Sequence, residues 1–489
     1  MERRTFLAGA LSAATLATLS ACVPEQPLPT PSITPTVGPL SPVPAPAAYL
    51  RSAWADDPFS LGSFSMTPVG ADPGDRATLR EPVRGRVFFA GEATSTEFPG
   101  TVVGAARSGE AAAASVVAVG DPGERIAVIG AGLAGATAAR DLTAAGFDVV
   151  VVEARDRIGG RIDTRDETGW PFPVELGAAS VTGTGLDELL TASDVDTLTL
   201  DASAELRTED GTVVAPSTVG PDAVATAVAW AKAQETDTSL ASALAESGAL
   251  ASVSPTTTPG AGPDGGGPLA PDEALTQYLD TTIASRYGAG PFALSASYGL
   301  DKPGLVDGTG LVVGGLGTLV NECLKGLDVL LSSTVIRIGY DDDGASLRLG
   351  TGESLSVDRV VVTVPLGVLQ AETIEFAPVL PEASGTAIAR LGMGRLEQLW
   401  LRFDEPFWST EATVLSVVDD TSVIAEWINL LPSTGQAILI GLTAADDVSV
   451  TSKLGDSEFV EAALATLGPF VDETIGATPT PATTPTAVP

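Results

Sequence analysis

The amino-acid sequence predicts an α/β fold with a parallel β-sheet at its centre. Two apolar runs, residues 126–129 and 148–152, have the composition of strands that are buried on both faces. A glycine-rich turn and an alanine-rich segment ending near Ala145 lie between them, which is the pattern of a β–α–β unit. With 489 residues, of which 44% are hydrophobic, the chain can bury a large core and should form about two to three domains.

The turn inside this unit predicts a dinucleotide-binding site. Gly130, Gly132 and Gly135 have the spacing that allows a tight turn, close approach of the backbone to a pyrophosphate, and close packing of helix on strand. Glu153 follows the second strand, where an acid accepts a hydrogen bond from a ribose hydroxyl. Because strand, glycines, helix, strand and acid occur in register, we predict a Rossmann-like nucleotide domain.

The composition excludes several classes of function. With 26 Lys and Arg against 62 Asp and Glu residues, the net charge is −36, which argues against nucleic-acid binding, since phosphate recognition needs a basic surface. An acidic surface serves solubility and can also attract cationic amines, and the composition leaves both interpretations open. The sequence contains no histidine, which excludes histidine-dependent metal sites and Ser–His or Cys–His catalysis. We predict no metal site, and chemistry that rests on other side chains or on a cofactor.

The first 22 residues predict an export signal, because a basic start precedes an apolar stretch too short to span a bilayer. Residues 3–7 resemble a twin-arginine signal, and residues 19–22, Leu-Ser-Ala-Cys, resemble a bacterial lipobox. We therefore expect an extracytoplasmic lipoprotein that is anchored to the bacterial cell membrane through a lipidated Cys22. An ordinary signal with a chance cysteine is the alternative. Cys323 is the other cysteine of the sequence, so an internal disulfide is not expected.

Several motifs resemble those of the flavin-dependent amine oxidase family. Residues 154–161, Ala-Arg-Asp-Arg-Ile-Gly-Gly-Arg, resemble the element that follows the ribose-binding acid in that family. Residues 174–178, Val-Glu-Leu-Gly-Ala, resemble the next element, which runs toward the isoalloxazine ring, and residues 85–114 resemble the segment that normally closes these proteins. The resemblance extends over roughly residues 48–476 and implies FAD as the cofactor. Ser63 stands near the place where one branch has a flavin-linked cysteine, so the FAD should be non-covalent.

The resemblance also implies which residues contact the cofactor. In the family, the acid at the position of Glu92 contacts the ribityl chain, and the backbone at the position of Val335 holds the adenine side. The helix after Thr101 points its N-terminus at the flavin, where free N–H groups stabilise the anionic reduced ring. The implied FAD-binding residues are Gly130, Gly132, Gly135, Glu153, Arg155, Gly159, Gly160, Arg161, Gly177, Val335, Gly91, Glu92 and Thr101.

The order of the motifs is reversed relative to the family, because the segment at 85–114 precedes the glycine-rich turn. Each element occurs once, which favours a circular permutation over a fusion of two copies. The joint at residues 119–124 is rich in Gly and Pro and has an ordinary loop length. The predicted organisation is a signal (1–22), a Pro/Thr-rich linker (23–47), a substrate-domain segment (48–82), FAD-binding segments (83–190 and 310–366), α+β substrate-domain segments (191–309 and 367–476) and a disordered tail (477–489).

The resemblance implies oxidation of an amine. In the family, an uncharged amine loses a hydride equivalent to the flavin, the imine is hydrolysed to a carbonyl product, and O2 reoxidises the flavin to give H2O2. Phe64 and Thr101 match two positions that often flank the amine, and Gln398 matches a lysine that holds a water near the reactive flavin nitrogen. We take Gln398, Phe64 and Thr101 as the catalytic candidates. Because a glutamine brings no positive charge, we expect slow reaction with O2 or a different electron acceptor.

Two other functions stay open at this point. One is a related FAD-dependent dehydrogenase or desaturase with another substrate or acceptor, and the other is a non-catalytic flavin-binding lipoprotein. The region from about residue 186 to 298 has few motifs and is expected to form helices and loops over the cleft. It does not identify the amine.

Overall fold

The fold was determined from a computed structural model, which describes residues 43–181, 190, 195–251, 268–300, 309–419 and 422–475. The predicted signal, most of the predicted linker and the predicted tail lie outside these residues. Val43 is buried in a hydrophobic core that also contains Leu399 and Phe459, so the packed structure includes the last residues of the predicted linker. Within the described ranges, no helix combines the length and the apolar character needed to cross a membrane.

The strands of the described residues form two large sheets and several small ones. In chain order they are β1 (Ala48–Arg51), β2 (Phe64–Met66), β3 (Val87–Phe89), β4 (Arg125–Ile129), β5 (Asp148–Val152), β6 (Thr164–Arg165), β7 (Val174–Glu175), β8 (Ser180–Val181), β9 (Thr197–Leu200), β10 (Ala204–Thr208), β11 (Val213–Val214), β12 (Thr309–Val312), β13 (Asp328–Leu330), β14 (Val335–Tyr340), β15 (Ala345–Leu349), β16 (Ser354–Val357), β17 (Arg359–Val362), β18 (Glu375–Ala377), β19 (Gly392–Gly394), β20 (Leu396–Arg402), β21 (Val414–Val418), β22 (Glu426–Asn429) and β23 (Ile438–Ala444).

The helices lie mostly between these strands. They are α1 (Pro73–Arg80), α2 (Val102–Val117), α3 (Leu133–Ala144), α4 (Val219–Ala231), α5 (Leu240–Glu246), α6 (Pro271–Tyr278), α7 (Ala284–Tyr287), α8 (Gly317–Leu324), α9 (Leu366–Gln370), α10 (Glu382–Arg390), α11 (Leu431–Thr434), α12 (Val448–Thr451) and α13 (Asp456–Ala465). A π-helical turn, Leu279–Ile283, joins α6 to α7.

A five-stranded parallel sheet forms the centre of the first domain, in the order β13–β5–β4–β17–β3. Ile126 and Val128 of β4 face a core that contains α2, α3 and α8. Ala127 and Ile129 of the same strand face a second core, which contains β14, β15 and α10. Because both faces of the sheet are covered by a core, the sequences of its strands are continuous apolar runs. The predicted α/β class and Rossmann-like unit are confirmed.

A seven-stranded sheet forms the centre of the second domain, in the order β1–β20–β23–β22–β21–β10–β11. Its neighbouring strands are antiparallel except for the parallel pair β10–β21. Leu399 and Leu401 pack on one face with Phe459 of α13, whereas Trp400 and Ile440 belong to a core on the other face. This alternation follows from the two-residue period of a strand.

The expectation of helices and loops for residues 186–298 is incomplete. The described residues of this region include α4 to α7, but they also include the strands β9, β10 and β11. β10 pairs in parallel with β21, about two hundred residues later in the chain. Local composition does not reveal such a distant pairing, so the sequence did not predict it.

Some segments pack across the predicted domain boundaries. Val368 of α9 and Ala387 of α10 lie C-terminal to the predicted boundary at residue 366, yet both belong to the core on one face of the parallel sheet. Leu79 of α1, in the predicted substrate-domain segment, lies in the same core. The division into domains stays a prediction.

Candidate functional site

A cavity of about 1080 Å³ extends from the glycine-rich turn after β4 to the inner face of the seven-stranded sheet. This volume is slightly above the usual range for ligand pockets, about 300–1,000 Å³. The sequence-predicted residues that line it are Phe64, Gly91, Glu92, Thr101, Gly130, Gly132, Glu153, Arg155, Gly159, Gly160, Arg161, Gly177, Val335 and Gln398. The fold therefore brings residues from many separate segments to one site.

Gly135 is the predicted residue that does not line the cavity, and its surroundings explain why. A Cβ at this position would lie 2.0 Å from the carbonyl oxygen of Gly130, so only glycine lets α3 pack so closely on the turn. Gly130 itself has a φ of 108°, in the left-handed region that favours glycine.

Gly132 leaves space where a phosphate would approach the backbone. It directly precedes α3, and the nearest atom to an added Cβ would be the Gly159 carbonyl oxygen at 3.7 Å. The free N–H groups of the first turn of α3 suit an anionic group at this place. A dinucleotide pyrophosphate fits the cradle that the absent Cβ leaves open.

Glu153 lies at the end of β5 with its carboxylate toward the glycine-rich turn. Its Oε2 accepts a hydrogen bond from the backbone N–H of Ala131 at 2.7 Å, and its Oε1 accepts one from the backbone N–H of Arg155 at 2.8 Å. A carboxylate has about four acceptor positions. Two remain for ribose hydroxyls, so the geometry fits the predicted role.

Glu92 lines the cavity but is buried, and the protein itself supplies all of its hydrogen-bond partners. Its two oxygens accept hydrogen bonds from Arg161 Nη1 at 2.7 Å, from the backbone N–H of Gly100 at 2.8 Å, and from both the backbone N–H and the hydroxyl of Ser65. Burial alone would raise the pKa of Glu92, but Arg161, Ser65 and Arg76 outweigh burial and lower it to about 2. These four bonds use the acceptor capacity of the carboxylate. Glu92 therefore positions Arg161, and its direct contact with the ribityl chain stays a prediction.

Arg155 connects the segment after β5 to a loop near the start of the described chain. Its guanidinium makes a bidentate ion pair with Asp57, with distances of 2.6 and 2.7 Å, and also donates to the Ser60 hydroxyl at 2.9 Å. Bidentate pairs of this kind fix orientation as well as charge. The ion pair holds the loop over one end of the cavity.

The N-terminus of α2 opens toward the cavity, and its orientation toward a bound flavin stays a prediction. Thr101 caps this helix, because its hydroxyl oxygen accepts from the backbone N–H of Gly104 at 3.0 Å. The same hydroxyl donates to the carbonyl oxygen of Phe98 at 2.8 Å. The Thr101 hydroxyl therefore caps the helix, and its predicted catalytic role stays a prediction.

Gln398 is held by two partners. Its Nε2 donates to the carbonyl oxygen of Gly177 at 2.8 Å, and its Oε1 accepts from the indole N–H of Trp400 at 3.0 Å. Trp400 is completely buried, so Gln398 supplies the acceptor that this indole requires. The amide thus joins β20 to the loop after β7, and its role in holding a water stays a prediction.

Polar residues that the sequence did not identify lie at the far end of the cavity. Glu426 of β22 and Arg286 of α7 both line it, together with Ser285. Burial raises the pKa of Glu426 to about 7, against the opposing effect of the nearby Arg286. No local motif surrounds these residues, and only the pairing of the strands reveals that Glu426 faces the cavity.

Comparisons with known protein families agree with this geometry. The model of the family described as flavin containing amine oxidoreductase matches residues 21–117 and 274–482. A model of the NAD(P)-binding Rossmann-like domain matches residues 128–192, which contain the glycine-rich turn and Glu153.

Individual proteins show the same relationship. Polyamine oxidase 3 of Oryza sativa subsp. japonica is 30% identical over 363 residues, which cover 70% of this chain and 72% of that protein. Polyamine oxidase 4 of the same plant is 28% identical over 364 residues, with 70% and 72% covered. The solved structure of a wild-type putrescine oxidase bound to putrescine has a TM-score of 0.55 at 19% identity, covering 72% of this chain and 82% of that chain. At this identity, the structural similarity shows a common fold.

Proposed function

Because the chain belongs to the flavin-containing amine oxidoreductase family, we propose that it removes a hydride equivalent from the carbon beside an amine nitrogen. It is a flavin-containing amine oxidase, and its cofactor is FAD. The observation that carries the proposal is the continuous cavity, which joins a dinucleotide cradle to the mainly apolar face of a second domain. A cofactor and a small organic substrate can meet in such a cavity.

The chemistry that FAD supplies when bound is acceptance of two electrons from the amine and their transfer to O2 as H2O2, while water hydrolyses the imine to a carbonyl product. The protein binds and orients the reactants. Gly132 and Glu153 are placed to hold the nucleotide part, and the N-terminus of α2 supplies N–H groups near the ring. Phe64 lines the cavity in the position proposed to flank the amine.

An anaerobic panel of mono-, di- and polyamines tests this function, with the absorbance of oxidised flavin as the signal. We expect at least one amine to bleach the FAD-loaded protein, and admission of air to restore the colour with formation of H2O2. Bleaching by dithionite without bleaching by any amine would contradict amine oxidation and favour a non-catalytic flavin-binding protein.

We also propose that the chain is a circular permutation of its family. The supporting observation is that β3 precedes β4 in the chain, yet lies at the edge of the parallel sheet beside β17. A re-permuted variant would start at residue 124, connect residue 475 to residue 43 by a flexible linker, and end at residue 118. The proposal predicts that this variant folds and binds FAD with an unchanged spectrum. Failure to fold with every one of several linker lengths would contradict it.

We propose further that residues 1–22 export the protein and that Cys22 carries its lipid anchor. The support is the sequence pattern alone, since these residues lie outside the described structure. Cys22→Ala should move the protein from the membrane fraction to the soluble fraction, and Arg3→Lys with Arg4→Lys should block export. Retention of Cys22→Ala in the membrane fraction would contradict lipid anchoring.

A non-covalent FAD is the corresponding proposal for the cofactor linkage. The hydroxyl of Ser63 accepts from the backbone N–H of Leu396 and donates to the carbonyl oxygen of the same residue, both at 2.8 Å. The side chain at this position is a hydroxyl that bonds to the backbone, so no thiol is present here for attachment to the flavin. Acid precipitation should therefore release all of the flavin into the supernatant.

A further inference from the structure

The far end of the cavity carries a polar patch within a mainly apolar lining. Thr282, Ser285 and Arg286 line it from the π-helical turn and α7, and their spacing of three and four residues puts them on one helical face. Glu426 lines it from β22. π-Helical turns are rare overall, and those that occur are often found at functional sites.

Strand pairing fixes the place of Glu426 relative to Gln398. Glu426 lies opposite Leu442 of β23, and Leu442 lies opposite Gln398 of β20. Residues opposite each other in antiparallel strands share a face of the sheet, and all three line the cavity. Two strand spacings separate Glu426 from Gln398, which is about 10 Å. The patch is therefore a second anchoring point, remote from the place of oxidation.

Polar atoms in this patch have no partner among the described residues. The Nε of Arg286 and the Oγ of Ser285 are both buried without a hydrogen bond. A buried polar group without a partner costs free energy that a ligand group or a water can recover. The guanidinium is a permanent cation, and Glu426 can ionise near neutral pH. The patch thus offers a positive and a negative group that line the same cavity and interact electrostatically.

This pair of charges selects the chemistry of the ligand. A lone distal ammonium, as in a simple diamine, would approach Glu426 but would be repelled by Arg286. A lone carboxylate would have the opposite difficulty. A group that carries both charges matches both residues, and the α-amino acid group is the compact example. Arg286 and Ser285 supply donors for a carboxylate, and Glu426 supplies an acceptor for the adjoining ammonium.

Resting on the proposed function, we propose that Ser285, Arg286 and Glu426 bind the α-carboxylate and α-ammonium of a diamino acid whose side-chain amine is oxidised. The carbon beside that uncharged amine loses a hydride equivalent to FAD, and the nitrogen lone pair forms the C=N bond. Water adds to this bond and ammonia leaves, giving an aldehyde. O2 takes up the two electrons with two protons as H2O2. The sum is R–CH2–NH2 + O2 + H2O → R–CHO + NH3 + H2O2, which balances.

Two pairs of compounds test the proposal, because the members of each pair differ only in the α-carboxylate. They are L-ornithine with putrescine and L-lysine with cadaverine. Anaerobic reduction of the flavin should be at least tenfold more efficient with the amino acid of a pair than with its diamine. Arg286→Gln should abolish that preference by slowing reduction by the amino acid of each pair. Arg395→Gln is the matched control, since Arg395 is exposed and bonds to Ser449 outside the cavity lining.

Equilibrium binding separates a failure of this proposal from a failure of the proposed function. If L-ornithine perturbs the flavin spectrum of the native protein but not of Arg286→Gln, and no compound reduces the flavin, the subsite stands and amine oxidation fails. If diamines reduce the flavin better than the amino acids and Arg286→Gln does not change the ratio, the subsite is wrong and the function stands. Absence of L-ornithine binding to the native protein also overturns the subsite.

Discussion

The two ends of the cavity are built in different ways. At the nucleotide end, the polar side chains are bonded to one another: Glu92 holds Arg161, Glu153 holds the glycine-rich turn, and Arg155 holds Asp57. At the far end, called here the substrate end because we propose that the substrate is anchored there, buried atoms of Arg286 and Ser285 have no partner within the described residues. A site that binds one unchanging cofactor can be preorganised by the protein alone, whereas a substrate site keeps polar groups that its ligand must complete.

The largest test of this contrast is at the nucleotide end. Gly135→Val would place side-chain atoms against the carbonyl oxygen of Gly130, which an added Cβ approaches to 2.0 Å. We expect a loss of about 4 kcal/mol or more in the free energy of unfolding, and no bound FAD. The control is Gly385→Ala in α10, where an added Cβ meets nothing within 4 Å. Flavin content and thermal unfolding measure both variants; a Gly135→Val protein with native flavin content would contradict the packing argument.

A second test removes the charge that holds Arg161. Glu92→Gln leaves a mostly buried guanidinium without its counter-charge, and we expect a loss of about 3 kcal/mol in the free energy of unfolding at pH 7. The folded pKa of Glu92, about 2, lies below its ordinary value of 4.5. Its stabilisation is therefore full above pH 4.5 and is lost as the pH falls through 2. Urea titrations at pH 7 and pH 3 should show the difference between native and variant shrinking at the lower pH; an equal difference at both would exclude a charge effect.

A third test concerns the boundary between the two ends. Gln398→Lys introduces a cation near the proposed ring position, and we expect reoxidation by O2 to become about tenfold faster, which corresponds to about 1.4 kcal/mol. Gln398→Met has a similar length without charge and should not accelerate reoxidation. Both variants leave the indole N–H of Trp400 without its acceptor, so they share this structural cost. Stopped-flow reoxidation of the reduced protein compares them, and equal rates in native and Gln398→Lys would exclude the electrostatic effect.

The smallest expected effect is at the substrate end. The folded pKa of Glu426, about 7, lies above its ordinary value of 4.5, so the folded state binds the proton more tightly than the unfolded state does. Native stability should therefore fall as the pH rises through this interval, and Glu426→Gln should remove that part of the fall, by about 1 kcal/mol after allowance for solvent screening. The free energy of unfolding is measured for the native protein and for Glu426→Gln at pH 5 and pH 8. The change between the two pH values is then compared between the two proteins. Glu175, whose pKa burial also raises to about 7, is common to both proteins and cancels.

The sequence predicted the nucleotide end well and the substrate end poorly, for a physical reason. Gly130, Gly132 and Glu153 act through local backbone geometry, which a short motif specifies completely. Glu426 and Arg286 reach the cavity through strand pairing and helix placement over long sequence separations. The local sequence does not contain this information.

The same reasoning explains the partial success at Gln398. Its position in the cavity followed from the family pattern, but its bonds to Gly177 and Trp400 depend on contacts between distant segments. The parallel pairing of β10 with β21 was not predicted for the same reason.

Gln398, Leu442 and Glu426 form a row across three neighbouring strands, which are about 4.8 Å apart. In the proposed subsite, the number of strands between Gln398 and the anchoring carboxylate determines the length of the substrate. Exchanging the side chains of the second and third residues of this row, with Leu442→Glu and Glu426→Leu, would move the carboxylate of the proposed subsite one strand closer to Gln398. If the proposed subsite is correct, such a protein should prefer a substrate shorter by several bonds.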